Sequence, residues 1–223
     1  MFSKWILLFY EYDIVMIIQP NKRRFMLHAD NDGEPKAIRV RRNGFLMYCF
    51  AFFGESGDRA VAVELERGAQ AYVYGIFFGN ASERLCIKTM TRHLEEDTFA
   101  RTSIRGVLSG RAHTDFSGLI QIDKPAQRTN SYLDERVLLL SDKATSRARP
   151  ELEIEADDVK ASHSATAGTI HQEQLFYLNA RGINKTLAQS LIAGGFLKAV
   201  ASLIEDEDIK KQIFTRIEKM NIA

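Results

Sequence analysis

As far as about residue 170, apolar and polar residues alternate in short stretches. Ala37-Ile38-Arg39-Val40-Arg41 alternates, as do Val61-Ala62-Val63-Glu64-Leu65-Glu66, Ala69-Gln70-Ala71-Tyr72-Val73-Tyr74 and Leu119-Ile120-Gln121-Ile122-Asp123. A period of two sends successive side chains to opposite faces, so each stretch predicts a strand with one buried and one wet face. Glycines at 44, 54, 57, 68, 75, 79, 106, 110 and 118 read as punctuation between strands. Many short strands imply an all-β body, and a sandwich and a β-helix both fit. Repetition slightly favours the helix, because Arg105-Gly106-Val107-Leu108 and Ser117-Gly118-Leu119-Ile120 look like equivalent corners of successive coils. The repeat is too degenerate to prove this by periodicity alone.

From Gln172 the period becomes helical. A first helix runs from Gln172 to Ala180 and ends at Arg181-Gly182, with Gly182 as the left-handed cap. Asn184 is a suitable N-cap for a second helix, with Leu187, Leu191, Val200, Leu203 and Ile204 as its buried stripe. Gly194-Gly195 inside it costs about 1 kcal/mol per glycine against alanine, which suggests close helix packing or a kink. Asp206 or Asp208 caps a third helix buried through Ile209, Ile213 and Ile217, with Phe214 and Met220 beside them. Helices this short need a surface to dock on. The expected organisation is an unassigned N-terminal segment over 1–20, a β body over 21–170 and a small helical subdomain over 171–223.

Composition narrows the function classes. The 223 residues are 45% apolar and 26% charged with a net charge of +1, which argues against nucleic-acid binding through bulk charge. Lys22-Arg23-Arg24 and the basic run from Arg39 to Arg42 read as solvated faces. Cys49 and Cys86 form no CxxC pair, so neither a disulfide framework nor a thiolate zinc site is expected, and two reduced thiols suit the cytoplasm. Trp5 to Ile18 is rich in large apolar residues, but Glu11 and Asp13 interrupt it and it falls short of the roughly 20 residues that span a bilayer. It reads as a buried segment, or as a misassigned one with the start at Met16, and no membrane role is expected.

Chemistry is sparse. There is no GxxxxGK[ST], so no ATP site is expected in this chain, and no Ser/His/Asp or Cys/His nucleophile pattern is readable. Glu151, Glu153 and Glu155 share one strand face and read as a solvated face before a cation row. Asp157 and Asp158 point apart in an extended strand and suit a turn or an interface. His113 and Asp115 read as a surface pair, and Cys86 as a structural thiol. His163, taken by residue type alone, is a hydrogen-bonded structural group.

From Gly68 to about Phe196 an ordered set of blocks carries more information than any one of them. It runs through Tyr74-Gly75-Ile76-Phe77-Phe78-Gly79-Asn80, Gly106-Val107-Leu108-Ser109-Gly110, Phe116-Ser117-Gly118-Leu119-Ile120, Ala126-Gln127-Arg128-Thr129 and Leu138-Leu139-Leu140-Ser141. It continues through Pro150-Glu151-Leu152-Glu153-Ile154-Glu155-Ala156-Asp157-Asp158-Val159-Lys160, Ser162-His163-Ser164-Ala165-Thr166-Ala167-Gly168 and Leu175-Phe176-Tyr177-Leu178. This order resembles the SufB/SufD family of iron–sulfur cluster assembly scaffolds. The Ser-His-Ser block resembles the SufD branch more than SufB, where Glu-His-Glu is expected.

The resemblance implies a right-handed parallel β-helix followed by a small C-terminal α-helical subdomain. It implies a non-enzymatic scaffold that pairs through the β-helix end with a SufB-like subunit or a second copy of itself. A SufC-like ATPase would dock on the C-terminal helices, and a transient iron–sulfur cluster, shared with a partner chain, would form near the interface. His163 becomes the candidate iron–sulfur ligand or assembly residue, since imidazole replaces thiolate in some iron–sulfur centres. Ala161 stands where SufD-like sequences usually carry cysteine, and Ser164 where they usually carry glycine. Two alternatives stand beside this reading: a β-helix enzyme acting on polysaccharide, and a β-helix that organises partners without cluster chemistry.

Overall fold

The computed structural model describes residues 14–29, 37–54 and 56–220. Trp5 and the acidic residues at 11 and 13, which carry much of the N-terminal reading, lie outside the described residues. Among the described residues twelve strands precede three helices. The strands are β1 (Ile14–Ile18), β2 (Arg23–Ala29), β3 (Ala37–Val40), β4 (Phe45–Phe53), β5 (Gly57–Leu65), β6 (Gln70–Gly79), β7 (Arg84–His93), β8 (Phe99–Leu108), β9 (His113–Ile122), β10 (Thr129–Leu139), β11 (Thr145–Ile154) and β12 (Val159–Thr169). The helices are α1 (Gln172–Asn179), α2 (Lys185–Ala201) and α3 (Glu207–Glu218).

Odd and even strands separate into two six-stranded sheets, ordered β1-β3-β5-β7-β9-β11 and β12-β10-β8-β6-β4-β2. Every strand pair is parallel. The chain therefore winds as a β-solenoid with two strands per coil, each coil hydrogen-bonded to the ones before and after it. The sandwich alternative, which needs antiparallel hairpins, is excluded.

The register keeps each lumen position in line from coil to coil. On the even sheet one row is Tyr48, Val73, Thr102, Leu133 and His163. The next is Phe50, Gly75, Ile104, Glu135 and Ala165, and a third is Phe52, Phe77, Gly106, Val137 and Ala167. Leu46, Tyr48, Phe77, Ile104, Phe116 and Ile120 are buried in this continuous core. At one bend His93 is buried, hydrogen-bonded through Nδ1 to the Thr98 hydroxyl (2.8 Å) and through Nε2 to the Ser131 hydroxyl (2.9 Å). Burial lowers its pKa to about 3, so the imidazole is neutral and links two coils.

Three of the expected punctuation glycines serve a different purpose. Gly75, Gly106 and Gly118 lie inside strands. Arg105-Gly106 and Ser117-Gly118 are consequently not equivalent corners: they belong to β8 and β9, on opposite sheets. A Cβ on Gly75 would stand 2.1 Å from Phe50 Cζ, and one on Gly106 would stand 1.9 Å from Phe77 Cζ. Each ring leans along its row over the glycine of the next coil. Space for an aromatic ring, and not a turn, requires glycine there.

The outer face of the even sheet is apolar too, which explains why β4 and β6 are apolar with little alternation. Met47, Cys49, Ala51, Tyr74, Ile76, Phe78 and Val107 cluster with Ala193, Leu197, Val200 and Ala201 of α2, Ile204 beyond it, and Ile209, Ile213 and Ile217 of α3. The helix ends follow expectation. Asn184 accepts a hydrogen bond from Leu187 N, Asp206 accepts one from Ile209 N, both at 2.9 Å, and Gly182 adopts a φ of +81°. The stripe of α2 differs from the expected one. Val200 and Ile204 are buried, but Leu187, Leu191 and Leu203 are about half exposed; Ala193 and Leu197 take the face toward the sheet, and Ala188 is buried with Ile170 and Leu175 instead. The Gly194-Gly195 pair is not held by close packing: a Cβ on Gly194 would meet Ile217 at an ordinary 3.9 Å, and Gly195 faces open space.

The ring-over-glycine arrangement yields a test. Gly106→Ala is expected to destabilise the fold by about 1–3 kcal/mol through overpacking. Phe77→Leu in the same chain should recover part of that loss. Urea unfolding of the two variants measures both effects, and an unchanged Gly106→Ala midpoint would refute the steric account.

Candidate functional site at the open end of the solenoid

A solenoid has two end coils, and here the C-terminal one is left open. Among the described residues β11 pairs with β9 alone and β12 with β10 alone, so each keeps one free edge there. Four of their inward positions carry small side chains: Ser146, Ala148, Ala165 and Ala167. The result is an open cleft of about 500 Å³ lined by these residues together with Pro150, Glu135 and His163.

His163 is exposed and continues the lumen row of Thr102 and Leu133. The register thus points the expected residue into the mouth of the solenoid. Ala161, two residues earlier, is partly buried against the core. Ser164 faces outward and donates a hydrogen bond to Asp134 (2.9 Å).

Asp134 and Glu135 are adjacent, yet their environments are opposed. Asp134, on the outer face, accepts from Arg105 (2.8 Å), Ser164 and Arg136 (3.1 Å). Burial works against its charge, but these hydrogen bonds outweigh burial and hold its pKa below the usual carboxylate range. Glu135 turns inward between Ile104 and Ala165, is 1% exposed, and its Oε1 has no hydrogen-bond partner. Burial, reinforced by Asp134 and partly opposed by Arg105, raises its pKa from 4.5 to about 7. Sequence reasoning passed over this residue. The signal was present, because Ser131, Leu133, Glu135 and Val137 occupy one phase of the strand, and a carboxylate in that phase interrupts the inner row.

The other expected residues lie elsewhere. His113 and Asp115 do not pair with each other: His113 hydrogen-bonds Thr145 and Asp115 binds Arg149 on the next coil, both at 2.8 Å. Glu151 and Glu153 lie on β11 with Glu155 just beyond it, and among the described residues no group of three His, Cys, Asp or Glu is arranged to hold a metal ion. Asp158 belongs to the turn before β12, its N–H donating to Gln127 and its carbonyl accepting from Arg128 N. Arg23 pairs with Glu205 and Arg39 with Glu64, both at 2.6 Å. Cys49 is buried and its thiol is pushed up to about 12; Cys86 is half-buried and also raised, by burial first and Asp58 second. Both thiols are protonated at neutral pH, as unreactive structural cysteines are. Among the described residues no helix is long and apolar enough to cross a membrane.

A parallel β-solenoid with helices folded back on one sheet defines the structural class. The family model for the SUF system FeS cluster assembly, SufBD core domain, matches residues 50–196. The chain belongs to the SufB/SufD family and is SufD-like. It is 36% identical over 202 residues to the iron–sulfur cluster assembly protein SufD of Bacillus subtilis, covering 89% of this chain and 41% of that protein. It is 36% identical over 130 residues to SufD of Escherichia coli, covering 58% and 31% respectively. An iron–sulfur cluster assembly SufBD family protein of Mycobacterium leprae is 30% identical over 159 residues, covering 68% and 41%. The chain spans about two-fifths or less of the length of these relatives.

The state of Glu135 sets a pH dependence. Below about pH 4 it is neutral folded and unfolded, and costs nothing. Between 4.5 and about 7 the unfolded chain releases its proton first, so stability falls as pH rises, and it levels off above that. At 1.36 kcal/mol per pKa unit the fall is roughly 3 kcal/mol. Glu135→Gln removes it. The variant should unfold at higher denaturant than the parent at about pH 8 and with it at about pH 4. His93, whose depressed pKa makes stability rise with pH up to about 6.5, contributes equally to both chains and cancels. Parallel stability profiles would refute the assignment.

Proposed function

We propose that this chain is a SufD-like scaffold subunit of an iron–sulfur cluster assembly complex, acting without catalysis of its own. The last coil is the face that meets a SufB-like subunit or a second copy of the chain. The cluster is cargo, formed transiently and shared across that face, and His163 handles it or its iron. One observation carries the reading: the register places His163 at the open mouth of the lumen, on a strand whose outer edge is unpaired among the described residues. A free strand edge is a template for pairing with another chain. The run Ser164-Ala165-Thr166-Ala167-Gly168 along it is small enough to let a partner backbone approach. Resemblance to cluster-assembly proteins over much of the chain supports the same conclusion.

In this reading ATP hydrolysis belongs to a SufC-like ATPase docked on the C-terminal helices. The support is their outward apolar surface. Phe176 and Tyr177 of α1 are 75% and 56% exposed, and Leu187 and Leu191, one turn apart on α2, are 49% and 52% exposed. A shallow depression lined by Tyr177, Leu178 and Ile192 lies there as well. Large apolar side chains grouped on short helices mark an interaction site more often than a solvated face.

Two expected outcomes test the proposal in the complex co-expressed with SufB-like and SufC-like partners. His163→Ala should leave the melting temperature and assembly unchanged, because the side chain is exposed, and should lower iron and cluster absorbance per complex severalfold. Equal cluster content would leave a β-helix that organises partners without cluster chemistry. The double variant Leu187→Asp and Leu191→Asp should retain stability to within about 0.5 kcal/mol, as surface changes do. It should lose ATPase capture at least tenfold, as removal of central apolar anchors does. Undiminished capture would move the ATPase to another face.

A further inference from the structure

The lumen carries buried titratable side chains that differ in one respect. His28 hydrogen-bonds Tyr48 (2.9 Å), and His93 is held by Thr98 and Ser131. Glu135 keeps an oxygen without a partner while being 1% exposed. Its neighbour Arg105 is spent on the outer face, on Asp134. Burial of an unpaired carboxylate is unfavourable, and folded proteins retain such groups chiefly where a ligand or a reaction uses them. Glu135 and His163 line the same cleft from adjacent lumen rows. The other inward residues, Ser146, Ala148, Ala165 and Ala167, leave that cleft unfilled.

We infer that Glu135 and His163 form one half of a binding site for a divalent first-row cation of the iron(II) class at the mouth of the solenoid. A carboxylate oxygen and an imidazole nitrogen are the donor pair that such borderline ions take. The cation supplies the charge partner that Glu135 lacks. Among the described residues there is no third His, Cys, Asp or Glu grouped for a metal, so water completes the shell in the single chain and donors from the facing chain complete it in the assembly. Ile104 and Ala165 precede and follow Glu135 in its row, and neither offers its carboxylate a hydrogen-bonding side chain. This inference rests on the reading of the last coil as the assembly face, and it adds a buried ligand that the histidine motif does not include.

The test titrates the full 223-residue chain with Co²⁺ under anaerobic conditions and follows its visible ligand-field absorption, with no cluster synthesis involved. The parent should bind one Co²⁺ per chain. Glu135→Gln preserves shape and should weaken binding at least tenfold, with a melting temperature unchanged or raised; Glu135→Asp, which restores a carboxylate, should recover part of the affinity. His163→Ala should also lose affinity. Full binding by Glu135→Gln alongside loss in His163→Ala overturns the role of Glu135 and leaves the histidine reading standing. Full binding by both variants, or none by the parent chain, overturns the site.

Discussion

Everything in this molecule depends on parallel pairing in register between successive coils. Each strand hydrogen-bonds the strand two places before it, so an inward residue stays inward from coil to coil. The rows that result have to be filled cooperatively. Phe50 fits because Gly75 follows it, and Phe77 because Gly106 follows it. A slip of one residue would turn an entire strand, sending Leu133 and Val137 into solvent and Asp134 into the core.

The same constraint generates the site. A solenoid satisfies its inner face by stacking, and among the described residues no further coil is stacked on the last one. Residues that would be core in an earlier coil therefore become the lining of an open mouth. His163 occupies a position held by Leu133 one coil back and Thr102 two coils back, and it is exposed because the column ends. Glu135 lies one coil deeper, covered by a strand of small residues. Depth separates the two side chains: one is wet, and the other is desolvated enough to hold its proton up to about pH 7.

The helices address a second consequence of the winding. The even sheet is apolar on both faces, and a solenoid can cover the inner one alone. α2 and α3 cover the outer face of β4, β6 and β8 with Leu197, Val200, Ile213 and Ile217. Leu187 and Leu191 of α2 take no part in that cover and stay about half exposed.

The sequence by itself determined the elements and the class. Alternation marked strands, caps at Asn184 and Asp206 marked helices, and the ordered blocks marked the family, because each of these is a property of neighbouring residues. It did not determine the purpose of Gly75 or Gly106, which turns on a ring some 25 to 30 positions earlier. Nor did it choose which face of α2 is buried, since leucine suits either side and the shape of the even sheet selects Ala193 and Leu197. His163 was legible through its motif. Glu135 left a local trace, a carboxylate in the inward phase of β10, but an alternating strand does not say which phase faces inward until its neighbours are in place. Only the tertiary structure put Glu135 and His163 in one cleft, because they lie 28 residues apart in sequence and on adjacent strands in space.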